Sequence, residues 1–364
     1  MIFEKVIGQQ RICNYLIRTV QNQRTSHAYL FVGEKGVGKE AMALEFARFL
    51  LCARAPDCSE PDCISCNKVR RLVHPDLHII FPAPGKVIED DYRTVVESMA
   101  ADPYQRSELW SNPSISIDTI RELRRKASYT SFEGNGRVFI IADCERMTTE
   151  ASNALLKILE EPPDGMYLLM TSSRANLLLP TITSRCQVIH FDPLPASEIK
   201  RAVLERNTVD EHTAELAARM SGGSYRNALE FLEQDMTTLQ KQALEFFRCS
   251  VQSDFKQAVY VDEVMTRAER DTQKLKKLLS FLLLWFRDAL VFKEAGENTK
   301  SSITIYNSDD EEVLKRFTDK FADADLYTAV KEIEHSVQLF DRNIQANLIL
   351  VVLLAKLRTL IRRQ

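Results

Sequence analysis

Short apolar runs alternate with stretches of helical periodicity along the first part of the chain. The runs have the length of buried parallel strands; one follows Ser26, and the others are residues 137–144, 166–173 and 187–191. Between the second and third runs, "TTEASNALLKILEEPP" has helical spacing, with Thr148 or Thr149 as its cap and two prolines at its end. Strands that alternate with helices predict a three-layer α/β domain with a parallel sheet.

The pattern changes after residue 195, and no further strand is indicated there. Residues 196 to 235 predict short helices that are interrupted at Gly222 and Gly223, and from about residue 240 the pattern is helical throughout. Near the end, apolar residues recur at helical intervals, which predicts one face of an amphipathic helix and is typical of core or subunit contact. These residues are Ile344, Leu348, Val351, Val352 and Ala355.

Chain length adds a domain count to this picture. A chain of 364 residues exceeds the size at which one hydrophobic core stops growing. Together with the change from mixed to helical periodicity, this length predicts three domains, residues 1–192, 193–238 and 239–364.

Composition and charge exclude several classes of protein. Hydrophobic residues at 45% and charged residues at 27% fit a globular protein. A formal net charge of −3 gives no reason to expect a surface that coats nucleic acid. The opening residues lack the pattern of a secretory signal, and the longest apolar segment, residues 278–286, is about half as long as a membrane span requires. We therefore expect a cytoplasmic protein without membrane contact.

A glycine-rich loop follows the first predicted strand. Residues 33–40, "GEKGVGKE", match the phosphate-binding pattern G-x-x-x-x-G-K-[ST] except at its last position. Gly33, Gly36 and Gly38 would let backbone amides surround phosphates, and Lys39 would reach the β- and γ-phosphates. Glu40 stands where a Ser or Thr hydroxyl should ligate Mg²⁺. Its carboxylate would lie near the phosphates and oppose an anionic ligand.

Four of the eight cysteines fall within one short segment. Cys63 and Cys66 have the C-x₂-C spacing of a zinc knuckle, and Cys52 and Cys58 precede them. Four thiolates would fill a tetrahedral site and leave no open position, so the segment predicts a structural rather than a catalytic zinc. The alternative is a chance cluster of free thiols, because disulfides are not expected in a reducing compartment.

Four motifs together resemble the AAA+ subunits of the bacterial clamp loader, the DNA polymerase III assembly that opens the sliding clamp and places it on primed DNA. They are "SHAYLFVGEKGVGKE", the four-cysteine segment, "SNALLKILEEPP" (residues 152–163) and "TITSRC" (residues 181–186). The resemblance implies an AAA+ parallel-sheet domain with a zinc-binding loop at residues 52–66. It further implies that a small helical lid domain and an all-α C-terminal collar domain follow.

Within this resemblance, the supports for Mg²⁺ depart from those of active members. Active members end the strand before "NALLK" in Asp-Glu, of which the Asp holds Mg²⁺ and the Glu polarises the attacking water. Ala142 and Asp143 stand at these two places. Because Ala142 has no ligand atom and Glu40 has replaced the loop hydroxyl, the resemblance implies loss of hydrolysis and doubtful binding of ATP and Mg²⁺.

The resemblance also gives roles to three further residues. Arg185 in "TITSRC" corresponds to an arginine finger that enters the nucleotide site of the adjacent subunit. Thr171 corresponds to the first nucleotide sensor of the family and Arg226 to the second. Each of these two could instead be a packing or interface residue.

The motifs leave two functions to be distinguished. In the first, the chain is a catalytically silent stator in a hetero-oligomeric ring with gamma/tau-type ATPases and a delta-type clamp opener, and it meets the sliding clamp and primed DNA through that assembly. In the second, it is itself the gamma/tau-type ATPase motor. Glu40 and Ala142 favour the first. An AAA+ ATPase outside replication, such as a helicase loader, is disfavoured by "LLKILEEPP" together with "SRC".

Overall fold

The structure, a computed structural model, describes residues 3–55, 58, 63–85, 88–110, 112–233, 236–250, 254–267, 272–294, 311–340 and 344–362. The chain divides into two compact units, Met1–Glu230 and Phe231–Gln364. This division does not test the predicted boundary near residue 192, and the three-domain arrangement stays a prediction.

A five-stranded parallel sheet lies at the centre of the first unit. Its strands are hydrogen-bonded in the order β2-β3-β4-β1-β5, and every pairing is parallel. The predicted parallel sheet is therefore confirmed. The apolar runs did not predict the edge strand β2. This strand is short and contains His78, so its sequence does not form a compact apolar run. The strands are β1 (Ala28–Val32), β2 (Leu77–Ile80), β3 (Arg137–Ile141), β4 (Met166–Ser172) and β5 (Gln187–His190).

Helices cover both faces of this sheet. The helices up to residue 232 are α1 (Gln10–Gln21), α2 (Lys39–Leu51), α3 (Ile64–Arg70), α4 (Glu89–Ala101), α5 (Ile117–Ala127), α6 (Thr149–Glu160), α7 (Pro180–Thr183), α8 (Ala196–Arg206), α9 (Glu211–Met220) and α10 (Tyr225–Leu232). Successive strand residues point to opposite faces. Phe31 accordingly packs in one buried cluster with Phe46 of α2, whereas Leu30 packs in another with Leu155 of α6.

The turn between β3 and α6 positions one residue of the site. Asp143 follows β3 with a φ of 47°, a left-handed conformation that Asp tolerates better than most residues do. The helix then begins after Thr148, whose hydroxyl accepts a hydrogen bond from the Ala151 N–H. This N-cap satisfies a backbone donor that would otherwise lack a partner.

All the regular elements that the structure describes in the second unit are helices. Its elements are α11 (Met236–Ser250), α12 (Asp254–Arg267), α13 (Thr272–Glu294), α14 (Glu311–Lys320), α15 (Leu326–Leu339) and α16 (Ala346–Ile361). Among the residues described, no helix has the length and apolar character needed to span a membrane.

Helix α16 carries apolar residues on more than one face. Its buried side is formed by Ile349, Leu350, Leu353, Leu354 and Leu357. The stripe identified in the sequence faces outward instead, with Leu348 57% and Val352 42% exposed. The prediction that this stripe packs in the core is therefore wrong within this chain. The buried side of α16 is formed instead by the leucine-rich row listed above.

Candidate functional site

The glycine-rich loop joins β1 to α2 as the sequence predicts. Gly36 and Gly38 have φ values of 78° and 100°, which side-chain-bearing residues rarely adopt. A Cβ at Gly33 would lie 2.7 Å from the Phe191 carbonyl oxygen, and one at Gly38 would lie 2.7 Å from the Tyr104 hydroxyl. Neighbouring segments thus press against the loop from two sides.

Lys39 is turned into this loop. Its Nζ donates to the carbonyl oxygens of Gly33 at 2.7 Å and Glu34 at 2.6 Å, and the residue is only 6% exposed. Burial lowers the pKa of Lys39, although the carboxylates of Glu40 and Asp143 act in the opposite direction. The amine that would reach a phosphate is therefore engaged by the backbone of its own loop.

Arg106 joins the loop position that would ligate Mg²⁺, Glu40, to the position that would polarise the attacking water, Asp143. Its Nη1 donates to Glu40 Oε1 at 2.9 Å, and its Nη2 donates to Asp143 Oδ2. Arg106 is 8% exposed and Asp143 is 6% exposed. Burial would raise the pKa of Asp143, but the Arg106 guanidinium outweighs it and the net shift is downward. For Glu40 the balance is the opposite, since burial outweighs the Arg106 guanidinium and raises the pKa of Glu40. Its Oε2 is buried without a hydrogen-bond partner among the described residues.

Glu108, two residues after Arg106, connects the glycine-rich loop with α10. Its Oε1 lies 3.2 Å from Lys35 Nζ and 3.0 Å from Arg226 Nη1. Burial alone would raise the pKa of Glu108, but these two cations outweigh burial and hold that pKa below its usual value. Arg226, predicted as a sensor of nucleotide, therefore contacts a carboxylate of its own chain.

Little space remains between these side chains. The cavity bordered by Lys39, Glu40, Tyr104, Arg106 and Asp143 has a volume of about 30 Å³. A single water needs about 10–15 Å³ by the same measure, so the cavity has room for about two waters.

Two further predicted positions adjoin Asp143. Thr171 is fully buried, and its Oγ1 accepts a hydrogen bond from the Asp143 N–H at 3.2 Å. Ala142 is also fully buried and packs with Phe81, Val95 and Met99. Thr171 thus stabilises the backbone of Asp143 in the turn after β3.

Arg185 lies apart from the residues that border the cavity. It follows α7, with its side chain 38% exposed, and its Nη2 lies 2.9 Å from Glu160 Oε1. Its Nη1 donates to the Thr181 carbonyl oxygen at 3.1 Å. Glu160 is itself 48% exposed, so the pair lies at the surface of the unit.

The four cysteines of the predicted metal site come together. Their sulfur atoms lie within 4.8 Å of one another, with 3.8 Å between Cys52 and Cys63 and also between Cys58 and Cys66. Zn–S bonds of about 2.3 Å in a tetrahedron place sulfur atoms about 3.8 Å apart. Burial would raise the pKa of Cys63, but hydrogen bonds from the Cys66 N–H and the neighbouring thiols outweigh it and lower that pKa to about 7. Burial raises the pKa of Cys52 and that of Cys66. The cluster could therefore hold a metal ion of this size and coordination.

Arg106 and Glu108 were not among the residues that the sequence singled out. Both lie in the segment after α4, for which the motifs predicted no role. Their partners Glu40, Asp143 and Arg226 are far away in the sequence, so no local spacing marks them. One signal could have indicated them. Glu40 and Asp143 place two carboxylates at a site without its usual metal ligands, and buried carboxylates require a cation from elsewhere in the chain.

Comparison with known proteins gives the family. The chain matches the protein family described as "DNA polymerase III, delta subunit" over residues 8–195. It is 27% identical to the DNA polymerase III subunit delta' of Bacillus subtilis, over 96% of this chain and 90% of that one. It is 32% identical to the corresponding subunit of Pseudomonas aeruginosa, over 60% of each chain.

Two further similarities are more distant or partial. The chain is 34% identical to the DNA polymerase III subunit gamma/tau of Mycobacterium bovis, over 64% of this chain and 36% of that one. A solved structure of a gamma subunit-related protein from Thermotoga maritima shares 17% identity over 95% of this chain and 100% of that one, with a TM-score of 0.40, a level from which nothing about the site follows. Since the family match covers slightly more than half of the residues, the chain belongs to the DNA polymerase III delta-subunit family.

Proposed function

We propose that this chain is a clamp-loader subunit of the replicative DNA polymerase that does not hydrolyse ATP and acts as a stator in the ring. The observation that carries the proposal is the placement of the Arg106 guanidinium between Glu40 and Asp143. In an active site of this kind, the loop position that Glu40 holds supports Mg²⁺, which bridges the β- and γ-phosphates, and the position that Asp143 holds polarises the attacking water. Here a fixed organic cation stands where the metal ion would be required.

The other side of the pocket supports the same conclusion. Glu108 pairs with Lys35 and Arg226, and Arg226 also pairs with Glu230. These pairs are partly exposed and contribute little to the cost of displacement. A nucleotide would also have to displace the buried pair of Arg106 with Asp143, whose side chains are 8% and 9% exposed, and breaking such a pair costs about 3–5 kcal/mol. We therefore propose that ATP and Mg²⁺ are not bound at this site, and that Gly33, Gly36 and Gly38 serve the turn rather than a ligand.

We propose that Arg185 acts on the adjacent subunit as an arginine finger. Its contact with Glu160 is partly exposed, and exposed ion pairs contribute only about 0–1 kcal/mol. The guanidinium can therefore leave Glu160 for a neighbouring phosphate at small cost, while α7 and the Thr181 carbonyl keep it at the surface. Its charge would stabilise the transferred phosphoryl group in the neighbour's site.

We propose that Cys52, Cys58, Cys63 and Cys66 hold a structural zinc ion. The sulfur separations support this assignment, as does the absence of any other ligand type among the cluster residues. Zinc in a four-thiolate site contributes folding energy and performs no chemistry on a substrate. Its effect here would be to join the end of α2 to the start of α3.

The proposed partners are gamma/tau-type ATPases and a delta-type clamp opener, with the sliding clamp and primed DNA reached through the assembly. The outward stripe of α16 supports subunit contact, because exposed apolar rows mark interaction surfaces. The motor alternative has a relative of the gamma/tau class in its favour, but Arg106 within the pocket opposes it.

Titration with ATPγS and Mg²⁺ tests the silent site. We expect no binding heat with the isolated protein, and none with Glu40→Ser, because Arg106 still fills the pocket when the loop hydroxyl is restored. ATP turnover by the homogeneous protein that is abolished by Lys39→Ala would refute the proposal.

A reconstituted loader tests Arg185. Arg185→Ala should lower hydrolysis at the adjacent site by about 10³-fold, the smaller of the effects that such arginines have. Arg174→Ala removes another exposed arginine of the same unit and should leave turnover unchanged. Equal turnover of the loaders that contain Arg185→Ala and the wild-type chain would sink the assignment.

A further inference from the structure

A buried ion pair of α2 borders the cysteine cluster. Arg48 donates from Nη2 and Nε to Glu45 Oε2, at 2.7 and 3.1 Å. The two residues are 5% and 4% exposed. The remaining arm of the guanidinium points to the cluster, where Nη1 donates to Cys66 Sγ at 3.8 Å. One arginine therefore contacts a carboxylate and a proposed metal ligand at the same time.

The charges around the cluster explain what this contact can do. Four thiolates and one Zn²⁺ leave two net negative charges at a largely buried place, which is costly unless nearby groups compensate them. A guanidinium carries five N–H groups in a fixed planar fork. Glu45 occupies two of them and so fixes the plane, which directs a third at Cys66. Arg48 thus brings a positive charge and a hydrogen bond to the same sulfur.

We propose that Arg48 is a positioning residue of the zinc site, held in place by Glu45, and that it stabilises the metal-bound form by donating to the Cys66 thiolate. This inference rests on the structural zinc proposed above. Groups that orient metal ligands and tune their basicity contribute about 10- to 100-fold to metal affinity. The arrangement also joins the metal site to the body of α2, because Arg48 lies one turn before Cys52 at the end of that helix.

The test replaces both members of the ion pair. Removing Arg48 alone would leave Glu45 buried and unpaired, whereas exchange of both partners is far better tolerated. We expect Glu45→Gln/Arg48→Gln to bind zinc about 10- to 100-fold more weakly than the wild-type chain in competition with a chelator. Arg48→Lys keeps the positive charge but loses the planar guanidinium, so its zinc affinity should lie between those of the wild-type chain and the double variant.

The cobalt-substituted protein gives a readout that a purely structural role would not move. Loss of a hydrogen bond to a thiolate raises the energy of the sulfur lone pair, so the thiolate-to-cobalt charge-transfer band should shift to longer wavelength in both variants. Arg71→Gln removes one positive charge from the exposed end of α3 and serves as the control. It should change neither the affinity nor the band.

The outcomes separate the two proposals. If the wild-type chain binds neither zinc nor cobalt, the zinc site itself is wrong. If the wild-type chain binds zinc and the double variant matches it in affinity and in the cobalt band, the role of Arg48 is overturned. Should the double variant fail to fold, Arg48→Lys decides, since wild-type values in that variant overturn the role as well.

Discussion

Arg106 pairs with two carboxylates of the pocket, and these ion pairs make the pocket a source of stability. The guanidinium donates to Glu40 and to Asp143, so Arg106→Gln removes the cation that is hydrogen-bonded to both. We expect this change to lower the free energy of unfolding by about 3–5 kcal/mol, as other broken buried pairs do. Urea denaturation measures it. Arg93→Gln, on the exposed face of α4 where its partner Asp90 is 79% exposed, should change stability by less than about 0.5 kcal/mol.

Stability should also depend on pH through the same pocket. The pKa of Asp143 and that of Glu108 are lowered, since their cationic partners outweigh burial. A carboxyl with a lower pKa in the folded state stabilises the fold above its unfolded value, about 4, and this contribution is lost as the pH falls through the folded value. We expect the free energy of unfolding to decrease on acidification below about pH 4. Arg106→Gln should flatten that decrease, and a slope equal to that of the wild-type chain would contradict the assignment.

At the scale of elements, the cysteine cluster joins α2 to α3. The helix α3 has only seven residues, and isolated helices of that length are unstable in water. We expect zinc removal by a chelator, or Cys66→Ser, to increase hydrogen exchange of the α3 amides while those of β3 stay protected. Cys186→Ser, outside the cluster, should retain zinc, which elemental analysis checks. Protected α3 amides in metal-free protein would contradict this view.

The sequence predicts elements better than it predicts the pocket. The strands β1, β3, β4 and β5 and the helix α6 follow from apolar runs, a cap and a pair of prolines, which are local signals. Arg106 pairs with residues distant in sequence, and its role depends on the turn after β3 that places Asp143. The predicted cysteine cluster did form, because its ligands are close in the chain and flank α2 and α3.

At the scale of the whole molecule, the outward stripe of α16 remains exposed to solvent in the single chain. Leu348→Lys/Val352→Lys should leave the melting temperature of the isolated chain nearly unchanged, because both side chains are exposed and exposed substitutions typically have small effects. It should weaken co-elution with gamma/tau-type subunits. Thr359→Lys adds a charge at another exposed place on α16 and should not. Co-elution of the double variant at the wild-type level would exclude this stripe from the contact.

The bridge from Glu108 to Lys35 and Arg226 has a consequence for how this chain responds to its surroundings. When a free ligand joins two segments, the joined fraction rises and falls with the concentration of that ligand. A carboxylate of the same chain has an effective concentration fixed by its covalent connection. In the function proposed above, the placement of α10 against the glycine-rich loop does not depend on the supply of ATP. In a ring whose other members respond to nucleotide, such a subunit would keep one geometry through every cycle.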